Sequence, residues 1–389
     1  MFVFDTPPTA YADPWKSSFD ERFAALNKGQ FRIAYLYEKP DSGTFRYRVY
    51  NMIQVLLEFD RRISAAYFTE SEFEHLSTIV DLADLIVLCR TRYNDRVSRI
   101  IIKARNQGKK VFFDIDDLLF DVRYAHLMLR TIDENLRDLH GVWDGWFASF
   151  ARMGLAMQMS ERIITTNAYL ASKISEWTTN PVDIVPNFLN KEQMQVSERI
   201  YDQKKRNGFA RSGQLCLGYF SGSPTHNKDF EIVSGLLAHA LEQDPRFTVR
   251  IVGYLELTGP IANYKSRIEF LPMQNFVSLQ RLIGQVEVNL MPSQENAFTN
   301  CKSELKYFEA AIVGTLSIAS PTFTYAKAIR DGENGYLAQS FEWSHRLARL
   351  LESVDSSYAE MAECAFDDSV RKYAWSQQAK LIENVLLKP

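Results

Sequence analysis

The sequence predicts an α/β protein built as two parallel-sheet domains that face each other across a cleft. Three observations predict it. Short runs rich in β-branched and aromatic residues alternate with helical patterns along most of the chain, as expected of parallel strands covered by helices on both faces. The alternation breaks near the middle, at the charged stretch 191–213, and then starts again. A length of 389 residues suffices for two domains at roughly 100–200 residues each.

Residues 1–30 carry three prolines and no clear period, which reads as an extension laid over the first domain. FRIAYLY (31–37) reads as the first buried strand. A loop, KPDSGTFRYR (39–48), follows it, and then a helical pattern through Val49, Ile53, Leu56 and Leu57. Further strands are expected at 63–68, 84–89, 110–114, 162–166 and 182–186, with a long helical region over 122–160. The stretch 191–213 reads as an interdomain connection with almost no apolar period. Beyond it, strands are expected at 215–220, 247–253, 267–271, 286–292 and 315–320, and a closing helix over 367–387. The domains are set at 1–200 and 201–368, both Rossmann-like, with 369–389 as a helix crossing back to the first.

Composition narrows the functional classes. Hydrophobic residues make up 46% and charged residues 24%, with a net charge of −3, so no global field recruits nucleic acid. The four cysteines, Cys89, Cys216, Cys301 and Cys364, and the six scattered histidines lack metal-ligand or redox spacing. No signal peptide and no apolar run of ~18 residues is present. The expected location is cytoplasmic, at most peripheral to the inner face of a membrane.

Ligands of open parallel sheets bind beyond the carboxyl ends of the strands, so the loops there carry the candidate sites. The richest is MPSQENAFTNCKSELKYFEAAIVGTLSIAS (291–320), expected to run strand, loop, helix, strand. Lys302, Lys306 and Glu309 fall at i, i+4 and i+7, one helix face, with Thr299 or Asn300 placed to cap it. Two lysines at a helix N-terminus suit a diphosphate, and a carboxylate further on suits vicinal hydroxyls. A surface helix with Lys–Glu support pairs explains the same spacing.

This segment resembles the donor-binding segment of retaining GT-B glycosyltransferases of the glycosyltransferase family 4 type. The resemblance is carried by Pro292-Ser293, Glu309-Ala310-Ala311, Gly314 and Ile318-Ala319-Ser320. AIRDGENGYLA (328–338) is similar to the family's Ile-x-Asp-Gly-x-Asn-Gly-x-Leu segment, and RIITTNAYLASKI followed by IVPNFLN to its first-domain ending in Pro-Asn. The resemblance implies the GT-B fold and transfer of a hexosyl group from a nucleotide-sugar, UDP-linked by preference, to a hydroxyl of a polysaccharide or glycolipid, with retention. The nucleotide-sugar is then a co-substrate, and no cofactor or metal is required. It also implies that Glu309 binds the ribose. The family's first glutamate, eight positions earlier, is replaced by Cys301. The segment Phe298 to Ser303, including Cys301 and Ser303, is the candidate to take over its role. A nucleotide-sugar 2-epimerase and a non-catalytic nucleotide-sugar-binding protein stay open as alternatives.

Three further loops complete the expected site. GYFSGSPTHNKDFE (218–231) falls where the family holds phosphate, and Gly222, Ser223, Thr225, His226 and above all Lys228 are its candidates. In FFDIDDLLFD (112–121), Asp116 and Asp117 are candidates to orient an acceptor hydroxyl or accept its proton. In the loop after the first strand, Gly43 allows close approach and Arg46 or Arg48 offers a cation to phosphate. The basic stretch of Arg90, Arg92, Arg96, Arg99, Lys103 and Arg105 reads first as a solvated face and second as a peripheral membrane contact.

Overall fold

The computed structural model describes residues 1–4, 10–131, 140–222, 227–353 and 356–387. It contains two six-stranded sheets in which every strand pairing is parallel. The first sheet holds β1 (Phe31–Tyr37), β2 (Ile63–Thr69), β3 (Leu85–Cys89), β4 (Lys110–Asp114), β5 (Arg162–Thr165) and β6 (Val182–Ile184). Their order is β2-β1-β3-β4-β5-β6. The second holds β7 (Leu215–Ser221), β8 (Phe247–Gly253), β9 (Ile268–Leu271), β10 (Val288–Met291), β11 (Leu316–Ala319) and β12 (Tyr336–Leu337). Their order is β12-β11-β10-β7-β8-β9. Strands β2, β3, β10 and β11 are buried along their whole length and β1 along its middle, which explains their continuous apolar runs.

Both orders reverse once, between β1 and β3 in the first sheet and between β7 and β10 in the second. At such a switch point neighbouring loops diverge to opposite faces and leave a crevice at the carboxyl edge. The loops after β1, β3, β7 and β10 are therefore the ones that shape a site.

Three expectations are corrected. The stretch after residue 190 is a regular helix, Lys191–Arg206, capped by the Asn190 side chain. Its buried face includes Gln193, Ser197 and Lys204 beside Met194, Ile200 and Tyr201, so polar letters hide the helical period. Each polar residue is bonded: Gln280 donates to Ser197 at 2.7 Å and Lys204 to the Gly314 carbonyl at 2.7 Å. The N-terminal residues reach helices of the second half and do not simply cover the first domain. The Phe2 N–H donates to the Gln285 carbonyl at 2.9 Å, and the Phe2 ring packs on Tyr358 at 5.2 Å.

Trp15 bridges the halves, against Phe45 at 5.6 Å and Phe276 at 6.1 Å. Within the region 122–160 the described residues are helical up to Gln158, with a short turn at Val122–Tyr124 and helices over Ala125–Thr131 and His140–Gln158. The C-terminal tail is likewise two helices, Tyr358–Tyr373 and Ala379–Leu386, separated by extended backbone at Ala374. Trp375 in that break stacks near Phe59 at 5.3 Å, and the last helix lies against helix Asn51–Phe59 of the first half. Among the described residues no helix is long and apolar enough to cross a membrane.

Candidate functional site

A cleft of about 510 Å³ opens between the carboxyl edges of the two sheets. From the first half come Asp41 to Thr44, Arg46 and Tyr47 after β1, Arg90 after β3, and Asp116 and Asp117 after β4. From the second come Ser221 and Gly222 at the end of β7, Met291 to Ser293 after β10, and Lys302, Ser303, Lys306 and Glu309. The expected Gly43, Arg46, Asp116, Asp117, Gly222, Lys302, Ser303, Lys306 and Glu309 all meet here.

The segment before β11 is built differently from the expected single helix. Asn296 caps a four-residue helix, Ala297–Asn300, in a reciprocal capping box with Thr299. The next helix, Leu305–Ala311, begins after Glu304 with no side-chain cap. Lys302 lies between the two helices, and so it reaches the cleft from a loop. With only seven residues in the second helix, the positive charge of this wall comes from side chains and not from a helix dipole.

Glu309 is buried, and its Oε1 accepts from Arg46 Nη2 at 3.1 Å, Tyr47 Oη at 2.5 Å and Gln193 Nε2 at 3.1 Å. Arg46 is used up in this way. Its Nε donates to the Ser42 carbonyl at 2.8 Å, and Nη1 to Gln193 at 3.1 Å. The plane lies over the Tyr47 ring at 4.1 Å and over Phe276 at 4.8 Å. Burial opposes the Arg46 charge, yet Tyr47 and Glu309 beside it raise its pKa above the ordinary value. Arg46 is thus a partner of Glu309 and not a cation free for phosphate. The turn that presents Arg46 and Tyr47 is a π-helix, Arg46–Tyr50, a geometry frequent at functional sites.

Arg48 points the other way, into the first domain. It is fully buried and bidentate to Asp114 at 2.8 and 2.9 Å, and its Nη1 donates to the Val185 carbonyl at 2.7 Å. This pair props the floor under the cleft, and Arg48 makes no contribution to the lining.

Asp116 and Asp117 share Arg90, which bonds both carboxylates, while Thr44 donates to Asp116 Oδ2 at 3.1 Å. Arg90 holds a φ of 46°, a left-handed backbone uncommon for a residue other than glycine. Burial pushes the Asp116 carboxyl up, against the pull of Arg90. The rest of the basic stretch is largely paired as well: Arg99 with Asp95, Lys103 with Asp81 and Arg105 with Glu161.

Lys302 and Lys306 contrast with these arginines. Among the described residues, no ion pair or hydrogen bond reaches either ammonium. Lys302 lies over the Phe298 ring at 5.1 Å and Lys306 over Tyr219 at 5.6 Å. Burial, reinforced by Lys302, pulls Lys306 down from its ordinary value to about 8, and Asp229 and Glu309 limit the fall. Ser303 Oγ, at the same wall, is buried and has no hydrogen-bond partner among the described residues.

Two expected residues do not reach the cleft. Cys301 is fully buried and packs in the apolar cluster of the first domain with Phe298. Asn167 fixes that position by donating to its carbonyl at 2.8 Å. Burial pushes the thiol well up, so Cys301 joins the two halves as an apolar plug. Lys228, in the first turn of helix Asn227–Gln243, is half-buried and outside the lining, whereas the adjacent Asp229 faces in. A step of one residue turns a helical side chain by about 100°. Asp229 Oδ1 accepts the Gln294 N–H at 3.0 Å, tying the β7 and β10 loops. Ser223, Thr225 and His226 lie outside the described residues.

Sequence reading missed Tyr47, Arg90, Asp229 and Gln193. Arg90 had a signal, since it follows β3 directly; its neighbours drew it into a surface stretch. Among the described residues no group of three or more His, Cys, Asp or Glu is arranged to hold a metal ion.

Comparison with known proteins agrees with this architecture. Residues 216–353, which span β7 to helix Trp343–Ser353, match the family model described as glycosyl transferases group 1. No curated protein sequence matches the chain. Among solved structures, Anabaena Alr3699/HepE in complex with UDP-glucose is similar at a TM-score of 0.59 and 14% identity. The match covers 91% of this chain and 99% of that one. Sucrose-phosphate synthase from Thermosynechococcus elongatus matches at 0.58 and 13%, over 90% and 97%. A glycosyltransferase from Rickettsia africae matches at 0.60 and 10%, over 92% and 100%. The two switch-point sheets and the cleft between them thus have the GT-B fold, and residues 216–353 resemble the glycosyl transferases group 1 family.

Proposed function

We propose that this protein transfers a hexosyl group from a UDP-linked sugar to a hydroxyl of a saccharide or glycolipid acceptor, with retention of configuration. The observation that carries the reading is the pair of ammonium groups, Lys302 and Lys306, without an ion-pair partner among the described residues and on the same wall as the Glu309 carboxylate. Cations without internal partners stabilise a departing diphosphate, and a carboxylate suits the ribose diol. The apolar stretch formed by Val252, Met273 and Leu279 on the same half offers a place for the base. Similar structures in complex with UDP or UDP-glucose support the choice of nucleotide.

In this reading residues 201–368 hold the donor and residues 1–200 the acceptor. Asp116 and Asp117, already held by Arg90, orient the acceptor hydroxyl through hydrogen bonds. The leaving phosphate takes the hydroxyl proton on the face it departs from, so no protein nucleophile is invoked. Catalysis then rests on positioning and on charge stabilisation.

The test is metal-free calorimetry with UDP, GDP and ADP, followed by product analysis with UDP-hexoses. We expect UDP to bind best and UDP release to depend on a saccharide acceptor, giving a product of retained anomeric configuration. Absence of nucleotide binding overturns the reading. Conversion of the donor sugar without any acceptor redirects it to an epimerase.

A further inference from the structure

Glu309 is held from across the cleft. Arg46 and Tyr47 belong to the turn after β1, in the first half, while Glu309 is on the helix before β11. Their donors, joined by Gln193 from the connecting helix, converge on one atom, Oε1. Oε2 receives no hydrogen bond from any described residue and is not sealed from solvent, on a side chain only 6% exposed. The main chain is fixed too, because Gln280 Nε2 donates to the Glu309 carbonyl at 3.0 Å.

Three donors on one oxygen are more than its two lone pairs accommodate ideally. The crowding fixes the rotation of the carboxylate and leaves the second oxygen as its sole unoccupied acceptor. The holding groups are on the opposite wall, so separation of the walls would remove two of the three.

Resting on the donor reading above, we propose that Arg46 and Tyr47 are positioning residues for Glu309, turning its free oxygen toward the diol of a bound nucleoside diphosphate. Diol recognition is then conditional on the approach of the two walls. The pair acts through Glu309 and touches neither phosphate nor sugar.

The experiment is calorimetry on the whole chain with three titrants: UDP, 2′-deoxy-UDP and inorganic pyrophosphate. A diol bonded to a carboxylate gives the wild type a preference for UDP over its deoxy analogue of about 10–100-fold. Glu309→Gln tests the underlying reading, because retention of the full preference there means that Glu309 does not bind the diol. With that preference lost in Glu309→Gln, Tyr47→Phe and Arg46→Lys test the inference. We expect each to cut the preference to less than about a third while pyrophosphate affinity stays within twofold. An unchanged preference in both overturns the proposal. A parallel fall in pyrophosphate affinity does so as well, since it marks general damage to the cleft. If Tyr47→Phe melts before it can be titrated, Arg46→Lys, which keeps the charge, decides alone.

Discussion

The two walls of the cleft share a topology and differ in how they treat charge. On the first wall the cations are spent internally: Arg46 on Glu309, and Arg90 on Asp116 and Asp117, with Arg48 beneath them on Asp114. On the second, Lys302 and Lys306 have no such partner among the described residues and face the same space. A wall neutralised in advance presents hydrogen-bonding oxygens and little net field, which suits an uncharged, hydroxyl-rich molecule. A wall with unsatisfied ammonium groups suits an anion. The fold supplies two similar walls, and under the proposed function the side chains at the switch points fit them to different ligands.

The comparison breaks first where a spent cation is removed. Arg48→Met leaves the Asp114 carboxylate fully buried without its bidentate partner. Loss of one member of a buried pair costs about 3–5 kcal/mol. Urea unfolding should show this as a lower midpoint. Lys302→Ala, which removes a cation with no partner among the described residues, should change the unfolding free energy by less than about 0.5 kcal/mol. Equal destabilisation by the two would erase the distinction between the walls.

Ligand affinity should reverse that ranking. Lys302→Ala and Lys306→Met each remove a charged donor from the diphosphate, a loss of about 1.5–3 kcal/mol, or roughly 10–100-fold in affinity. Arg90→Lys keeps a cation beside Asp116 and Asp117 and should leave UDP affinity within about twofold, while acceptor-dependent turnover falls. Calorimetry and turnover assays on the three variants separate the walls.

Much of this fold was legible because its strands are buried on both faces and therefore read as apolar runs; β1, β4 and β8 have the expected limits. The helix Lys191–Arg206 was not legible, since its inner face is satisfied by hydrogen bonds that Gln193 and Lys204 donate, and Ser197 accepts, with groups far along the chain. Lys302, Lys306 and Glu309 were found by spacing and by resemblance. The partners of Glu309 were out of reach, because Arg46 lies 263 positions away and no local pattern encodes such a pair. Cys301 misled for a related reason: sequence gives its place in the motif, whereas packing against the other domain decides where it points. Restoring an acid there is informative. Cys301→Glu puts a carboxylate into an apolar cluster and should cost about 1–3 kcal/mol by urea unfolding, with no gain in donor affinity. A gain in affinity at unchanged stability would mean that the segment can swing into the cleft.

The smallest expected effect tests the unneutralised wall by pH. Lys306 titrates near 8 because burial and Lys302 disfavour its charge. Below that value the ammonium is present and attracts diphosphate; above it the charge is lost. A bound anion favours the protonated form, so binding near pH 8 should take up part of a proton. UDP affinity should therefore fall by up to about tenfold from pH 7 to pH 9. Calorimetry at pH 8 in two buffers of different ionisation enthalpy should register the uptake. In Lys306→Met both signals should vanish, leaving affinity weak and nearly flat over the range. Persistence of the slope in that variant would transfer the titration to another group and leave Lys302 as the sole cation acting on the diphosphate from this wall.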